Sequence, residues 1–217
     1  MLPALGRAKA KALQTQCLDN QKQIGLAYSM YAADSQESYP RHPDWASVSG
    51  QNGAFYVFVA ATNRPLNPYV RHQLQTFSCP ADKGDSDTGA TNCFGVYGNS
   101  YLVAWADYEY PDYKDPADNT KRYCFRTRSV TSSAADPGDT PMKTTVAGNL
   151  TTKIIQGDWV WHANRANTDP KSIWHNYRGQ SLSVMFYADG HATACHFPSA
   201  MTNWLEGPPP DPDFLWW

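Results

Sequence analysis

The chain has 217 residues, of which 18% are charged, and its formal net charge at neutral pH is −2. This length suits one packed domain, and the absence of a basic run or an RNA- or DNA-binding motif excludes nucleic acid as an expected partner. No apolar stretch of the sequence reaches the length of a membrane-spanning helix. With 16 Pro, 14 Gly and 13% aromatic residues, the composition favours long loops and antiparallel sheet over a helical bundle.

Residues 4–34 are predicted to form one long helix. Ala is abundant there, and one stripe at helical spacing contains Leu13, Cys17, Ile24, Tyr28 and Tyr31. The helix should end within 34–38, because a residue that precedes a proline avoids the helical region and Pro40 follows shortly. The stripe predicts packing on a sheet. The opening segment passes from an apolar fragment straight into a basic helix, which suggests a helix whose beginning has been removed.

The rest of the chain, 37–217, is predicted to be a sheet with long loops. The run 54–70 fits either a short helix or a buried strand, which periodicity does not distinguish. Strands are predicted at 74–79, 96–105, 123–130, 153–161, 182–189 and 191–197, the last two as a hairpin around Gly190. Residues 106–121 are expected to be an exposed excursion and 131–149 a loop. This order predicts an α+β fold in which residues 1–217 form a single domain and one helix, 1–36, packs on an antiparallel sheet.

The five cysteines leave their pairing open. None of them forms a C-x-x-C pair, which argues against a zinc ribbon; they are Cys17, Cys79, Cys93, Cys124 and Cys195. In an exported protein this number fits two disulfides and one free thiol. In a cytosolic protein all five fit as reduced residues of the core.

Several His and Asp residues of the last third are candidates for catalysis or metal binding. Their side chains bind metals once His is unprotonated; the candidates are Asp158, His162, His175, Asp189 and His191. Asp158 and Asp189 would make a carboxylate pair of the glycosidase kind if strands 153–161 and 182–189 are neighbours. The structural interpretation is favoured. In it, Asp189 and Gly190 set the hairpin turn, His191 follows them, and His175 hydrogen-bonds across to the same turn.

Loop 82–92, DKGDSDTGATN, predicts either a calcium site or a solvated acidic turn. Asp82, Asp85 and Asp87 lie close together in it, and Ca²⁺ accepts oxygen ligands in flexible geometry. No Glu stands at the closing position of an EF-hand, which favours the solvated turn. Calcium is the one cofactor that the sequence suggests.

The tryptophans of the last third have two interpretations. Exposed Trp159, Trp161 and Trp174 would suit stacking on a polysaccharide or another polymer. The simpler interpretation places most tryptophans of this region in a satellite core beneath the C-terminal tail.

Several segments in this order resemble one family. They are LPALGRAKAKALQTQCLDNQKQIGLAYSMYAAD at the N-terminus, FSCPADK (77–83), YGNSYL (97–102), GDWVWHANR (157–165), a His–spacer–Asp-Gly element (175–190) and the terminal PDPDFLWW. Together they resemble the prepilin-like, pseudopilin-type proteins of planctomycetes, verrucomicrobia and their relatives. Two features depart from that family. The apolar first half of the helix is missing with its cleavage glycine, and the thirteen-residue spacer between His175 and Asp189 is longer than the commonest form.

The resemblance implies a pilin-like fold and a place in the cell envelope, on its periplasmic or extracellular face. The expected function is that of the soluble ectodomain of a structural subunit in a type II secretion or type IV pilus-like fibre. The implied partners are other pilin-like subunits and the secretion machinery, with the membrane reached only through the missing N-terminal segment. The alternatives are a polysaccharide-binding module displayed on such a fibre and a hydrolase built on the same scaffold.

Overall fold

The described residues form one long helix, one short helix and a set of strands. In this computed structural model the described residues are 2–103, 108–114, 122–127, 131–133, 140–146, 150–161, 169–177 and 179–196. Helices α1 and α2 span Leu2–Asp34 and Cys93–Tyr97. The strands are β1 Arg41–His42, β2 Gly53–Ala54, β3 Phe58–Val59, β4 Tyr101–Val103, β5 Tyr108–Lys114, β6 Arg122–Thr127, β7 Ser132–Ser133, β8 Ile154–Asp158, β9 His175–Tyr177, β10 Gln180–Tyr187 and β11 Ala192–Cys195.

Helix α1 confirms the predicted N-terminal helix and its apolar stripe. Cys17, Ile24 and Tyr28 of the stripe are buried. The helix ends at Asp34. Just after it, Glu37 takes a positive φ and its N–H donates to the carbonyl of Ala32 at 2.8 Å, which closes the end of the helix. None of the described helices combines the length and the apolar character needed to cross a bilayer.

The main sheet is built around β10. Its strand order is β11-β10-β8-β4, with antiparallel pairing throughout. Strand β9 pairs with the first residues of β10, so that His175 lies opposite Leu182. Strand β8 pairs with the last residues of β10, and the backbone N–H of Val184 between them bonds the side chain of Asp158 at 2.7 Å. Strands β9 and β8 therefore follow one another along the same edge of β10, with their ends close together.

Helix α1 packs on this sheet through a glycine and a short polar chain. Gly25 lies so close to the ring of Phe186 that an added Cβ would overlap the ring atoms. Tyr28 stacks on the same ring, with centroids 6.2 Å apart and planes 10° apart. The hydroxyl of Tyr28 donates to Gln156 Oε1 at 3.2 Å, and Gln156 Nε2 donates to Gln21 Oε1 at 2.7 Å. These paired polar groups fix the helix against β8 and β10, and the fold is α+β as predicted.

The predictions for the later sheet strands are confirmed. Strands β10 and β11 form the expected hairpin, and β8 runs directly into a 3₁₀ helix at Trp159–Trp161. Strand β6 lies within the predicted strand 123–130, apart from its first residue. Strand β9 was not predicted, because three residues are too few for an alternating pattern.

The predictions between α1 and β4 are largely wrong. Segment 74–79 is not a strand, since Leu74–Phe77 is a 3₁₀ helix that follows two left-handed residues, Arg71 and His72. Segment 54–70 is neither a helix nor a buried strand. It contains a part of the two-stranded hairpin β2–β3 and two short 3₁₀ helices, and the buried side chain of Arg64 donates to the carbonyl of Val59 within it at 3.4 Å. Of the predicted strand 96–105, the described residues 96–103 contain the end of α2 and, as their strand, β4.

The two predicted insertions contain regular structure. The excursion 106–121 includes β5, which pairs with β6 as an antiparallel hairpin. The loop 131–149 includes β7, which pairs in parallel with β1, and a 3₁₀ turn at Thr144–Val146.

Candidate functional site

Four side chains that can bind metals meet beneath α1, where β8 ends and β9 begins. They are Cys17 on α1, Cys79 after the 3₁₀ helix Leu74–Phe77, Asp158 at the end of β8 and His175 at the start of β9. All four are buried, and one ligand atom from each lies within 4.8 Å of those of the other three. Cys17 and Cys79 form a disulfide with a Cα–Cα distance of 5.5 Å. We refer to these four residues as the buried cluster.

The local sequence explains why the two cysteines meet. Cys17 lies on the buried stripe of α1, one turn before Asn20. The side-chain amide of Asn20 donates to the carbonyl oxygen of Ser78 at 2.9 Å and to the hydroxyl of Tyr101 at 3.1 Å. The Tyr101 hydroxyl in turn donates to Cys17 Sγ at 3.6 Å. The segment that carries Cys79 is thereby fixed to the helix.

The histidine and the carboxyl group complete the cluster. His175 Nε2 lies 3.5 Å from Cys79 Sγ and 3.5 Å from Asp158 Oδ2. Asp158 Oδ2 accepts the N–H of Val184 at 2.7 Å. Among the described residues, Asp158 Oδ1 has no hydrogen-bond partner although it is buried. A buried carboxylate oxygen without a partner is uncommon and calls for an explanation.

Burial sets the protonation of this pair. It lowers the pKa of His175 to about 4, and the charge of Lys83 adds to that effect. Burial raises the pKa of Asp158 to about 8, while the hydrogen bond from Val184 acts in the opposite direction. At neutral pH the imidazole is neutral and the carboxyl group is largely protonated, so their 3.5 Å contact is not an ion pair.

The structure separates the predicted His and Asp candidates into two places. Asp189 and His191 lie at the β10–β11 turn, where Asp189 Oδ1 accepts the backbone N–H of His191 at 3.0 Å and lies 2.5 Å from its Nδ1. Gly190 has the positive φ that the turn requires, 92°. His175 does not reach this turn. It contacts Asp158 at the level of Val184, and five strand residues from there to Asp189 span about 16 Å.

The carboxylates therefore do not form the glycosidase-like pair that neighbouring strands suggested. Asp158 stands at one end of β8, whereas the N–H of Asp189 bonds the carbonyl of Leu150, before the other end. His162 lies outside the described residues.

The aspartates of loop 82–92 direct their oxygens to groups of the protein. Asp82 accepts the N–H groups of Cys93 and Phe94 at 3.0 and 2.9 Å and so holds the start of α2. Asp85 accepts the indole N–H of Trp159 at 2.8 Å and the N–H of Asp87 at 3.2 Å. A calcium ion would have to compete with these donors, so calcium binding at Asp82, Asp85 and Asp87 stays a prediction.

The predicted ligand-binding tryptophans are core residues where the structure describes them. Trp159 is buried and stacks on Tyr97, with centroids 4.3 Å apart, and Trp174 is buried with its indole N–H on the carbonyl of Gly84 at 3.2 Å. They expose no ring face to a polymer, and the side chain of Trp161 lies outside the described part. Among the residues whose burial is described, the largely exposed aromatic side chains are Tyr56 and Phe58, at 77% and 66% exposure beside the β2–β3 turn.

The sequence identified Asp158 and His175 and missed their sulfur partners. Cys79 is 96 residues from His175 along the chain. The available signals were weak: Cys17 belongs to a buried stripe, and Cys79 ends a predicted strand. No known protein family, no curated protein and no solved structure matches this chain.

Proposed function

We propose that this chain is the globular part of a pseudopilin-like structural subunit of a type II secretion or type IV pilus-like fibre. The observation that carries the proposal is the 33-residue helix α1, whose later part packs on an antiparallel sheet while its first turns extend away from it. Residues 4–12 are exposed apart from half-buried Ala10, and at 1.5 Å per residue they extend about 14 Å along the helix axis.

The outer face of α1 supports lateral contact with further copies. Leu26 and Met30 are 66% and 53% exposed, and four residues apart they share one face of the helix. Leu5 adds a third exposed apolar side chain nearer the start of the helix. Burying these side chains against a neighbouring copy would remove apolar surface from water, which favours association.

The disulfide supports the proposed place in the cell envelope. Bonds such as Cys17–Cys79 persist in oxidising compartments and are rare in the cytosol. The periplasmic or extracellular face of the envelope is such a compartment. The proposed partners there are other pilin-like subunits and the secretion machinery.

Photo-crosslinking of the full-length protein in cells tests this function. A photoreactive residue is placed at Leu26 or Met30, and a matched one at Thr193, which is exposed on β11. We expect ladders of crosslinked copies from the two helix positions and none from Thr193. The proposal would be contradicted if none of these positions gave crosslinks between two copies of the chain.

Polysaccharide binding is a second candidate function, and the exposed Tyr56 and Phe58 favour it. Two neighbouring aromatic side chains that are largely in water offer flat apolar faces for a sugar ring. We expect the double variant Tyr56→Ala/Phe58→Ala to lose most of its sedimentation with an insoluble polysaccharide. Leu150→Ala, which removes an exposed apolar side chain elsewhere, is the control. Equal sedimentation of both variants would exclude this role.

A further inference from the structure

We propose that Cys17, Cys79, His175 and Asp158 form a tetrahedral Zn²⁺ site when the Cys17–Cys79 disulfide is reduced. The donor set is two sulfurs, one imidazole nitrogen and one carboxylate oxygen, all of which are established ligands of Zn²⁺. The disulfide is then the oxidised, metal-free state of the same site. The inference holds whether or not the chain assembles into a fibre.

Two distances in the cluster match edges of a zinc tetrahedron. With a Zn–S bond of about 2.3 Å and Zn–N and Zn–O bonds of about 2.0–2.1 Å, the S···N edge is about 3.6 Å and the N···O edge about 3.3 Å. The observed Cys79 Sγ–His175 Nε2 and His175 Nε2–Asp158 Oδ2 distances are both 3.5 Å. The other ligand atoms lie within 4.8 Å of one another, and the two sulfurs have to move apart to about 3.8 Å, for which reduction removes the bond that holds them together.

The unpartnered oxygen of Asp158 is independent evidence for a cation. Among the described residues, Oδ1 has no donor, and the side chain is fully buried. Oδ2 already accepts the N–H of Val184. A Zn²⁺ bound through Oδ2, the oxygen that lies 3.5 Å from His175 Nε2, and also within reach of Oδ1 would give Oδ1 its missing partner in a group that is otherwise costly to bury.

The surroundings of the cluster are those of a closed structural metal site. Four protein ligands leave no open position for water, which distinguishes structural zinc from catalytic zinc. The Tyr101 hydroxyl donates to Cys17 Sγ and is itself held by Asn20, while Val184 holds Asp158. Hydrogen bonds of this kind orient metal ligands and fix their geometry.

The two states are linked by a balanced thiol–disulfide exchange. A dithiol reductant supplies two electrons and two protons, the Cys17–Cys79 bond breaks, two thiols form and the reductant becomes a disulfide. Zn²⁺ then binds the two thiolates, the neutral imidazole and the Asp158 carboxylate, and the two thiol protons and the carboxyl proton pass to water. Oxidation by a disulfide oxidant reverses both steps and releases the metal.

Metal titration of the full-length wild-type chain tests this site. The chain is reduced with a dithiol, desalted without oxygen and titrated with Zn²⁺ against a chromophoric chelator. Co²⁺ is titrated in parallel, because thiolate-to-cobalt charge transfer reports sulfur ligands. We expect one metal ion per reduced chain, tetrahedral cobalt spectra, and no binding at this site in the oxidised chain.

Alkylation and matched variants locate the bound metal. Zn²⁺ should protect Cys17 and Cys79 from alkylation, read by mass spectrometry, and leave the labelling of Cys195 unchanged. His175→Ala and Asp158→Ala should weaken Zn²⁺ binding at least about tenfold, since loss of even a supporting hydrogen bond costs about 10- to 100-fold. The corresponding changes in the other His–Asp pair, His191→Ala and Asp189→Ala, should leave the affinity unchanged.

If the cluster variants do not fold, the alkylation of the wild type shows whether Zn²⁺ binds at Cys17 and Cys79. The proposal is overturned if the reduced wild type binds no Zn²⁺, or binds it without protecting the two cysteines. It is also overturned if reduction unfolds the chain and Zn²⁺ does not restore the fold. Failure of fibre assembly in the crosslinking experiment leaves these readouts unaffected, so the two proposals fail separately.

Discussion

Arg64 organises the chain between α1 and β4 from the inside. Its guanidinium donates to the carbonyl oxygens of Ala46, Ser49 and Tyr97 at 2.7, 2.6 and 2.8 Å. Burial lowers the pKa of Arg64 to about 10, against the attraction of Asp44, so the side chain stays charged at neutral pH. One buried cation thus supplies donors that a strand ladder would supply elsewhere.

We expect Arg64→Ala to lower the free energy of unfolding by about 3 kcal/mol or more, because several buried carbonyl groups lose a charged donor at once. Urea denaturation followed by circular dichroism measures the change. Arg7→Ala, an exposed site on α1, is the control and should change stability by less than about 0.5 kcal/mol. Similar values for the two variants would show that Arg64 does not organise these loops.

The sequence identified Asp158 and His175 as candidate ligands from their residue types, but it did not indicate which residues they contact. Asp158 and His175 stood out because His and Asp bind metals, and the other candidates along the chain were His162, Asp189 and His191. The sulfur ligands beside His175 come from α1 and from the segment after the 3₁₀ helix Leu74–Phe77. Cys79 in that segment is 96 residues from His175 in sequence. Contacts over such separations follow from the strand order, and β9 left no pattern in the sequence from which to infer that order.

At the scale of elements, the helix–sheet interface depends on the absence of a side chain at one position of α1. Gly25 faces the ring of Phe186. Gly6 lies on the same helix with no heavy atom within 4 Å of an added Cβ. The two glycines are therefore matched in helix environment and differ in packing.

We expect Gly25→Ala to lower the free energy of unfolding by about 1–3 kcal/mol, because the added methyl group displaces a buried ring. Gly6→Ala should raise it by up to about 1 kcal/mol, since alanine is the better helix former and meets nothing. Urea denaturation of the two variants measures both changes. A stabilising Gly25→Ala would mean that α1 does not sit on Phe186 as described.

Elements with a long regular pattern were predicted, and those held by a single side chain were not. Helix α1 and the β10–β11 hairpin follow from the sequence, because α1 carries a stripe that is buried from Gln14 onwards and two apolar runs flank Gly190. Segment 74–79 has Phe77 and Cys79 two residues apart and was predicted to be a strand, yet the left-handed Arg71 and His72 turn the chain just before it. No local pattern indicates positive φ at residues other than Gly and Asn, so this turn was not predictable.

At the scale of the whole molecule, the disulfide closes a long loop. Cys17 and Cys79 are 62 residues apart in sequence. A crosslink over such a loop stabilises the folded chain by about 4 kcal/mol in the chain-entropy account. The loop contains most of α1, the segment organised by Arg64 and the 3₁₀ helix Leu74–Phe77.

We expect reduction without metal to lower the free energy of unfolding by about 4 kcal/mol. Zn²⁺ at about 1,000 times its dissociation constant should restore about 4 kcal/mol to the reduced chain. Denaturation with and without dithiol and Zn²⁺ measures both changes. Cys195→Ser, which leaves the buried cluster intact, should show the same two changes as the wild type. Reduction that does not alter stability would contradict the crosslinking role of the disulfide.

A pulling force applied to the first residues of α1 enters the body of the protein near Cys17. The turns before it are largely exposed, whereas Ile24, Gly25 and Tyr28 meet the sheet only farther along. The covalent bond to Cys79 therefore carries the load before it reaches the non-covalent contact with Phe186. If the proposed fibre forms and is stretched, the oxidised chain would resist peeling of its helix from its sheet. Reduction would transfer that load to van der Waals contacts and a few hydrogen bonds.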